Sequence, residues 1–183
     1  MRAEQIFDSY QLQFEKVIFL DVDGVLNDEG ENYRKEIYVE EVRIQRLAKI
    51  VEETGAKIVM ISSWRKEFQR YLEHPEEFTT EFYDRTLGEL KRMLDKYQIE
   101  ISGYTPCFYL GNLSRPYEIR TWLKDKPLIK SLVILDDDDY AWGWLSSHLV
   151  QTKIPDLCDE FGCAYRGLND EHVMRAIELL NRE

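Results

Sequence analysis

The stretch Val17-Ile18-Phe19-Leu20-Asp21-Val22-Asp23-Gly24 decides the fold class of this 183-residue chain. Four consecutive apolar residues without alternation are typical of a strand that is covered on both faces, as in a parallel sheet. The run then breaks into aspartate and glycine, which favour a turn. We therefore predict a buried parallel strand whose carboxyl end carries Asp21 and Asp23.

The alternation of strand and helix continues along the chain. Apolar runs predict further strands at residues 57–61, 99–101, 132–135 and 148–151. Helical periodicity and helix-start residues predict helices at residues 41–53, 87–97, 116–123 and 169–180. This order predicts an α/β fold, a parallel sheet sandwiched by helices. In such sheets ligands bind beyond the carboxyl ends of the strands.

Length and composition limit the function classes. A chain of this length fits one domain, so we expect a single unit over residues 1–183, with residues 1–15 as a peripheral extension. No apolar run reaches the ~18 residues of a membrane-spanning helix. The net charge of −11 disfavours sequence-independent coating of a nucleic-acid duplex. Three cysteines, an odd number, and an amino terminus without a secretory-type apolar stretch lead us to expect the cytoplasm.

Acidic and hydroxyl side chains follow three of the predicted strands. Asp21 and Asp23 follow the first strand, Ser62 follows the second, and Asp136 and Asp137 follow a later one. Carboxylates gathered at one edge of a sheet repel each other unless a cation neutralises them. Because all these ligand atoms are oxygens, the expected cation is Mg²⁺. A hydroxyl and a basic residue beside such a site suit phosphoryl transfer.

Four motifs in order resemble those of the haloacid dehalogenase-like (HAD) phosphatase superfamily. They are FLDVDGVLN at residues 19–27, ISSWR at 61–65, SRPYEIRTWL at 114–123 and VILDDD at 133–138. With GLND at residues 167–170, the order is most similar to the capless HAD domain of the RNA-repair proteins called Swiss Army Knife proteins. The resemblance covers residues 17–170 and implies a Rossmann-like, HAD-like fold with minimal or no cap.

The resemblance also implies a role for each motif residue. Asp21 would be the nucleophile that forms an aspartyl-phosphate, and Asp23 the general acid and then the general base. Ser62 would donate hydrogen bonds to a phosphate oxygen, and Arg115 would neutralise charge on the phosphoryl group. The implied Mg²⁺ ligands are Asp21, Asp23 through its backbone carbonyl, Asp136 and Asp137. The residues expected to lie against the substrate are Gly24, Ser63 and Arg65.

Alternatives stay open at several of these positions. Ser63 competes with Ser62, because only one of two adjacent strand-end hydroxyls can point into the site. Arg120 competes with Arg115 one turn along the same helix, and Arg65 has an ordinary interpretation as a surface ion pair. The acidic segments themselves have an ordinary interpretation as polar turns. Four aromatic residues either pack or form a platform for a nucleobase, namely Trp64, Tyr104, Phe108 and Tyr109.

Members of the family gain selectivity from cap insertions, for which this chain has little room. Residues 25–40 suffice for a small flap and residues 103–114 for a loop, so we expect an open site. Such a site would serve a large substrate or use a partner protein or second copy as its lid. The hypothesis is a Mg²⁺-dependent phosphomonoesterase acting on nucleic-acid or nucleotide terminal phosphates. The alternatives are a small-molecule or phosphoprotein phosphatase, a receiver-like phosphoacceptor and a non-catalytic phosphate-binding module.

Overall fold

A five-stranded parallel sheet forms the centre of the protein. The computed structural model describes residues 15–28, 38–126, 128–158 and 164–182. The strands are β1 (Lys16–Leu20), β2 (Lys57–Met60), β3 (Ile101–Tyr104), β4 (Ser131–Asp136) and β5 (Leu149–Gln151). Their order across the sheet is β3-β2-β1-β4-β5, and every neighbouring pair is parallel. The predicted α/β class with a Rossmann-like parallel sheet is confirmed.

Helices connect the strands and cover both faces of the sheet. They are α1 (Glu41–Thr54), α2 (Arg65–Glu73), α3 (Glu81–Tyr83), α4 (Glu89–Lys96), α5 (Ser114–Leu123) and α6 (Asp170–Leu180). A π-helical turn (Asp84–Gly88) separates α3 from α4, and short 3₁₀ turns lie at Pro75–Glu77, Gly111–Leu113 and Gly143–His148. After β5, β6 (Ile154–Cys158) and β7 (Ala164–Tyr165) form a separate antiparallel pair.

The central strand β1 is buried on both faces, as its apolar run predicts. On one face Ile18 and Leu20 belong to a core that α1, α4 and α6 complete. On the other face Val17 and Phe19 pack with residues of α5, and the Phe19 ring meets Trp122 edge to face at 5.4 Å. Burying each such large apolar side chain contributes about 1.5–3 kcal/mol. The run thus anchors the sheet and holds the acidic turn that follows it.

Two helix ends lie where the sequence predicts them. Gly55 ends α1 with a φ of 66°, and its N–H donates to the Val51 carbonyl. Asn169 caps α6, since its side chain accepts the His172 N–H while His172 Nδ1 accepts the Asn169 N–H. These two ends fix the helices that pack against β1 and β4.

Other elements differ from the predictions. The strand predicted at residues 99–101 lies at Ile101–Tyr104 instead, because the Ile99 N–H donates to the Leu94 carbonyl and prolongs the turn after α4. Helix α2 was not predicted, although Phe68, Tyr71 and Leu72 have helical spacing; of these three, only Phe68 is fully buried. The β6–β7 pair was not predicted either.

Some predictions fall partly on residues that are not described. The peripheral extension lies outside the described residues except at residue 15, and the predicted flap is described only over residues 25–28 and 38–40. In the part of the chain that the structure describes, no helix has the length and apolar character needed to cross a membrane.

Candidate functional site

The register of the sheet brings the acidic strand ends together. Leu20 of β1 pairs with Leu135 of β4, so the residues that follow, Asp21 and Asp136, lie side by side. The Asp21 N–H donates to the Leu135 carbonyl at 2.9 Å and continues the ladder past the end of β1. Asp21 and Asp136 are both buried, and so is Ser62, which follows β2. The carboxyl edge of the sheet therefore gathers three of the residues singled out from the sequence.

The acidic cluster consists of the side chains of Asp21, Asp136 and Asp137. One carboxylate oxygen from each lies within 4.8 Å of the others. Asp136 Oδ1 accepts the Asp138 N–H at 2.9 Å, but Asp136 Oδ2 is buried without a hydrogen-bond partner. A buried carboxylate oxygen without a partner is unfavourable, and a divalent cation satisfies it. The residues present thus fit a metal ion with oxygen ligands.

Two carboxyl groups of the acidic cluster have raised pKa values. Burial raises the pKa of Asp21 above its ordinary value, although the Arg115 guanidinium and the Val22 N–H oppose this shift. Burial and the neighbouring Asp21 carboxylate raise the pKa of Asp136 well above its ordinary value. Both shifts mean that the charged forms are unfavourable without a compensating cation.

Arg115 is the basic residue at the site. Its Nη2 lies 3.4 Å from both carboxylate oxygens of Asp21, and its Nη1 lies 3.8 Å from Asp136 Oδ2. Burial alone would lower the pKa of the Arg115 guanidinium, but the Asp21 and Asp136 carboxylates raise it above its ordinary value. Its rival Arg120 is exposed on the same helix. Of the two arginines, the structure brings Arg115 to the cluster.

Asp23 lies beside the acidic cluster and is held by other residues. Its Oδ2 accepts the Trp64 indole N–H at 2.8 Å, and its Oδ1 accepts Asn27 Nδ2 at 3.2 Å. The predicted contact of its backbone carbonyl with a metal stays a prediction. Asn27 belongs to the first motif, but no role for it was predicted from the sequence. The signal that the sequence offered was an amide residue three positions after the glycine of that motif.

Gly24 lies in the turn after β1, and the two candidate serines follow β2. Gly24 has a φ of 67°, and a Cβ there would lie 2.3 Å from Asp137 Cγ. Only glycine therefore lets the turn pass so close to Asp137. Burial raises the pKa of Asp21, and the hydroxyl of the fully buried Ser62 is among the groups that oppose this rise, whereas the Ser63 side chain is exposed. Of the two hydroxyls, Ser62 is the one beside the predicted nucleophile.

Arg65 has a different position from the predicted one. Its guanidinium is buried and donates to four backbone carbonyls, those of Ile61, Ser62, Thr105 and Pro106. Its Nη2 also lies 2.8 Å from Glu118 Oε2. Four of the five guanidinium N–H groups are therefore hydrogen-bonded within the protein, and the charge is paired with Glu118. The expected contact with substrate is therefore not supported, and Arg65 instead joins the turn after β2 to helix α5.

Glu118 completes this junction and was not singled out from the sequence. Its Oε1 accepts the Phe108 N–H at 2.8 Å, while its Oε2 pairs with Arg65. Glu118 lies one turn after Arg115 on α5. The buried ion pair thus fixes the helix that carries Arg115.

The predicted aromatic platform is divided among several environments. Trp64 is bonded to Asp23, and the Phe108 ring packs edge to face against Tyr117 at 5.0 Å. Tyr109 is 89% exposed, with the Lys66 ammonium 5.7 Å from its ring centre. Trp64, Phe108 and Tyr109 therefore each have a different partner, and a shared platform for a nucleobase stays a prediction.

Two further residues lie at the edge of the cluster. Arg166 Nη1 is 3.1 Å from Asp137 Oδ2. The Tyr140 ring lies 5.8 Å from the Arg115 guanidinium, and burial raises the pKa of Tyr140 to about 12, so its phenol stays protonated. Neither was singled out from the sequence, because neither lies within one of the quoted motifs.

Comparison with known proteins identifies a family. Residues 17–156 match the family described as the HAD domain in Swiss Army Knife RNA repair proteins. No curated protein and no solved structure matches the chain. The matched range includes β1 from Val17 onward, β2 to β5 and every residue of the acidic cluster.

Proposed function

The chain belongs to the family of HAD domains in Swiss Army Knife RNA repair proteins, and from this premise we propose that it is a Mg²⁺-dependent phosphomonoester hydrolase. The family supports a phosphatase-type hydrolase in general. The observation that carries the finer proposal is the acidic cluster, in which Asp136 Oδ2 is buried without a hydrogen-bond partner. A site of this kind accepts a cation, and a cation beside Arg115 attracts a phosphate.

In the proposed reaction Asp21 is the nucleophile. A carboxylate oxygen of Asp21 attacks phosphorus, the bond to the leaving oxygen breaks, and an aspartyl-phosphate forms. The Val22 N–H on Asp21 Oδ1 and the Arg115 guanidinium hold this carboxylate in place. A water molecule then attacks phosphorus and releases Asp21 and inorganic phosphate.

Asp23 moves the protons of both steps. It gives a proton to the leaving oxygen in the first step and takes one from the attacking water in the second. Its carboxylate lies on the same turn as Asp21, two residues later, and outside the acidic cluster. This separation suits a group that must change protonation state while the cluster stays charged.

The cluster residues Asp21, Asp136 and Asp137 would hold Mg²⁺, which supplies positive charge to the phosphate oxygens. We select Mg²⁺ because the three side chains offer only carboxylate oxygens. Ser62 and Arg115 would donate to the non-bridging oxygens and stabilise the charge of the transition state.

We further propose that the substrate is a phosphorylated nucleic-acid end. A site without a large cap gains affinity from contacts beyond the phosphate, which a polymer provides and a small ester does not. The exposed ring of Tyr109 and the neighbouring Lys66 are groups of the type that contacts bases and backbone phosphates.

The reaction is tested with the purified protein and p-nitrophenyl phosphate. We expect turnover with Mg²⁺, none in EDTA, and recovery when Mg²⁺ is restored. Asp21→Asn should retain less than a few per cent of the rate, because a carboxamide is a poor nucleophile. Far-ultraviolet circular dichroism of this variant serves as the folding control. Full activity in EDTA, or in Asp21→Asn, would contradict the proposal.

The substrate class is tested with a 3′- or 5′-phosphorylated oligonucleotide and the matching mononucleotide. We expect a higher kcat/KM for the oligonucleotide, with an advantage that falls as the salt concentration rises. Equal values at low salt would exclude a nucleic-acid end and favour a small metabolite. A preference for a phosphopeptide would assign the site to phosphoproteins.

A further inference from the structure

Trp64 connects two parts of the site that are distant in sequence. Its indole N–H donates to Asp23 Oδ2 at 2.8 Å, across 41 residues of chain. Its backbone N–H donates to the Ser62 hydroxyl at 3.2 Å. One residue therefore contacts both the predicted acid–base group and the hydroxyl beside the predicted nucleophile.

The position of Trp64 is fixed from several sides. Its carbonyl accepts the Phe68 N–H at 2.8 Å at the start of α2. Its ring packs against the core on the face of the sheet that α1, α4 and α6 cover. The Arg65 guanidinium that follows is buried among backbone carbonyls. The indole N–H is thus presented by a turn whose backbone is hydrogen-bonded to the first residues of α2.

Asn27 holds the other oxygen of the same carboxylate. Its Nδ2 donates to Asp23 Oδ1 at 3.2 Å and to the Tyr38 carbonyl at 2.8 Å. Its Oδ1 accepts the Gly24 N–H at 3.0 Å, and the side chain is fully buried. Two N–H donors from separate segments therefore define the plane of the Asp23 carboxyl group.

We propose that Trp64 is a positioning residue for Asp23, which fixes the orientation in which the carboxyl group exchanges a proton with the leaving oxygen. The catalytic half of this inference rests on the proposed function. A carboxyl group that rotates freely reaches the leaving oxygen in only part of its orientations, so a fixed plane raises the rate of proton transfer. This gain in rate is largest when the leaving oxygen is strongly basic, because such an oxygen leaves slowly unless it is protonated.

The contact itself is tested without any activity measurement. The chain has four tryptophans, and Trp64→Phe identifies the Trp64 indole signal in a ¹H–¹⁵N spectrum by its loss. We expect Asp23→Ala to shift this signal and to hasten its exchange with solvent. An unchanged indole signal in Asp23→Ala would show that the contact is absent, and would overturn the inference whatever the enzyme does.

The catalytic role is tested with phenyl phosphate and p-nitrophenyl phosphate, which differ in the basicity of the leaving oxygen. Trp64→Phe keeps an aromatic ring and removes the indole N–H. In single turnovers we expect at least a roughly tenfold loss with phenyl phosphate and at most about a twofold loss with p-nitrophenyl phosphate. In an Asp23→Asn background the same exchange should have no further effect on this ratio.

The matched control is Trp122→Phe, the same exchange at a partly buried indole that packs against Phe19. This variant should leave the ratio of the two rates unchanged. Equal losses with both substrates in Trp64→Phe would assign a merely structural role and overturn the inference. A wild-type protein that hydrolyses neither ester would refute the proposed function, and the catalytic role of Trp64 with it, while the indole signal would still report the contact.

Discussion

Replacing Asp136 with asparagine should make the metal-free protein more stable, although it removes a predicted metal ligand. The two side chains have nearly the same shape, and the amide oxygen can still accept the Asp138 N–H. The exchange removes one negative charge from a fully buried position. Stability and metal binding should therefore respond in opposite directions.

The magnitude follows from the distances in the acidic cluster. Unit charges on Asp136 and on each of its two neighbours, no more than 4.8 Å apart, repel by about 3.5 kcal/mol per pair at an effective dielectric constant of about 20. The Arg115 guanidinium, at 3.8 Å, offsets about 4 kcal/mol of this repulsion. Removing the charge should stabilise the metal-free protein by roughly 1–3 kcal/mol, because protonation of the wild-type carboxylate already relieves part of the repulsion.

The sign of the pH dependence follows from the raised pKa of Asp136. The folded state then binds more protons than the unfolded state, so the stability of the metal-free wild type falls as pH rises above the ordinary aspartate value of 3.8. The advantage of Asp136→Asn should be largest at neutral pH. It should disappear below pH 3.8, where the carboxyl group is protonated in both states.

Urea denaturation in EDTA and in Mg²⁺ measures both effects. A tenfold excess of Mg²⁺ over its dissociation constant should stabilise the wild type by about 1.4 kcal/mol, and the variant much less. The difference in the free energy of unfolding between Asp136→Asn and the wild type should thus become smaller or change sign when Mg²⁺ is added. If Asp136→Asn were less stable than the wild type in EDTA, or if Mg²⁺ stabilised both equally, the electrostatic account of the cluster would be wrong.

Two further predictions concern the residues around the cluster. Glu118→Ala leaves the buried Arg65 charge without its carboxylate partner. The variant should therefore have a free energy of unfolding that is lower by about 3–5 kcal/mol, as measured by urea denaturation. A loss below about 1 kcal/mol would show that the pair is not buried in solution. Gly24→Ala should destabilise the protein more than Gly55→Ala, because both glycines have nearly equal positive φ but only at Gly24 does a Cβ meet the Asp137 carboxylate. Equal losses in the two variants would show that Asp137 moves aside freely.

The central sheet and its acidic edge could be predicted from the sequence because local patterns determine them. The apolar run before Asp21 and the similar run before Asp136 identify two buried parallel strands, and parallel strands bring their carboxyl ends to one edge. Once the strands are adjacent, the residue after each run must lie near its neighbour. The placement of these aspartates therefore needed no knowledge of the loops.

The partners of Arg65 and Asp23 could not be predicted because they depend on the course of distant segments. Arg65 bonds to carbonyls some 40 residues away, and its carboxylate partner is Glu118. The indole bonded to Asp23 comes from the turn after another strand. A charged residue that follows a strand looks the same in the sequence whether it faces a substrate or the interior. Burial decides between the two, and burial is a property of the packed loops.

Hydrogen bonds join the turn after Asp23 to the residues that precede α1. The Glu40 N–H donates to the Leu26 carbonyl at 2.9 Å, and Asn27 Nδ2 donates to the Tyr38 carbonyl at 2.8 Å. The Asp28 N–H bonds to Glu40 Oε1 at 3.0 Å. These three hydrogen bonds hold residues 26–28 next to residues 38–40, so the two points at which an inserted segment would be attached are close together and fixed. Because doubling the length of a flexible insert between fixed ends costs only about 0.6 kcal/mol, a designer could exchange residues 29–37 for a longer segment that carries a new specificity without rebuilding the acidic cluster.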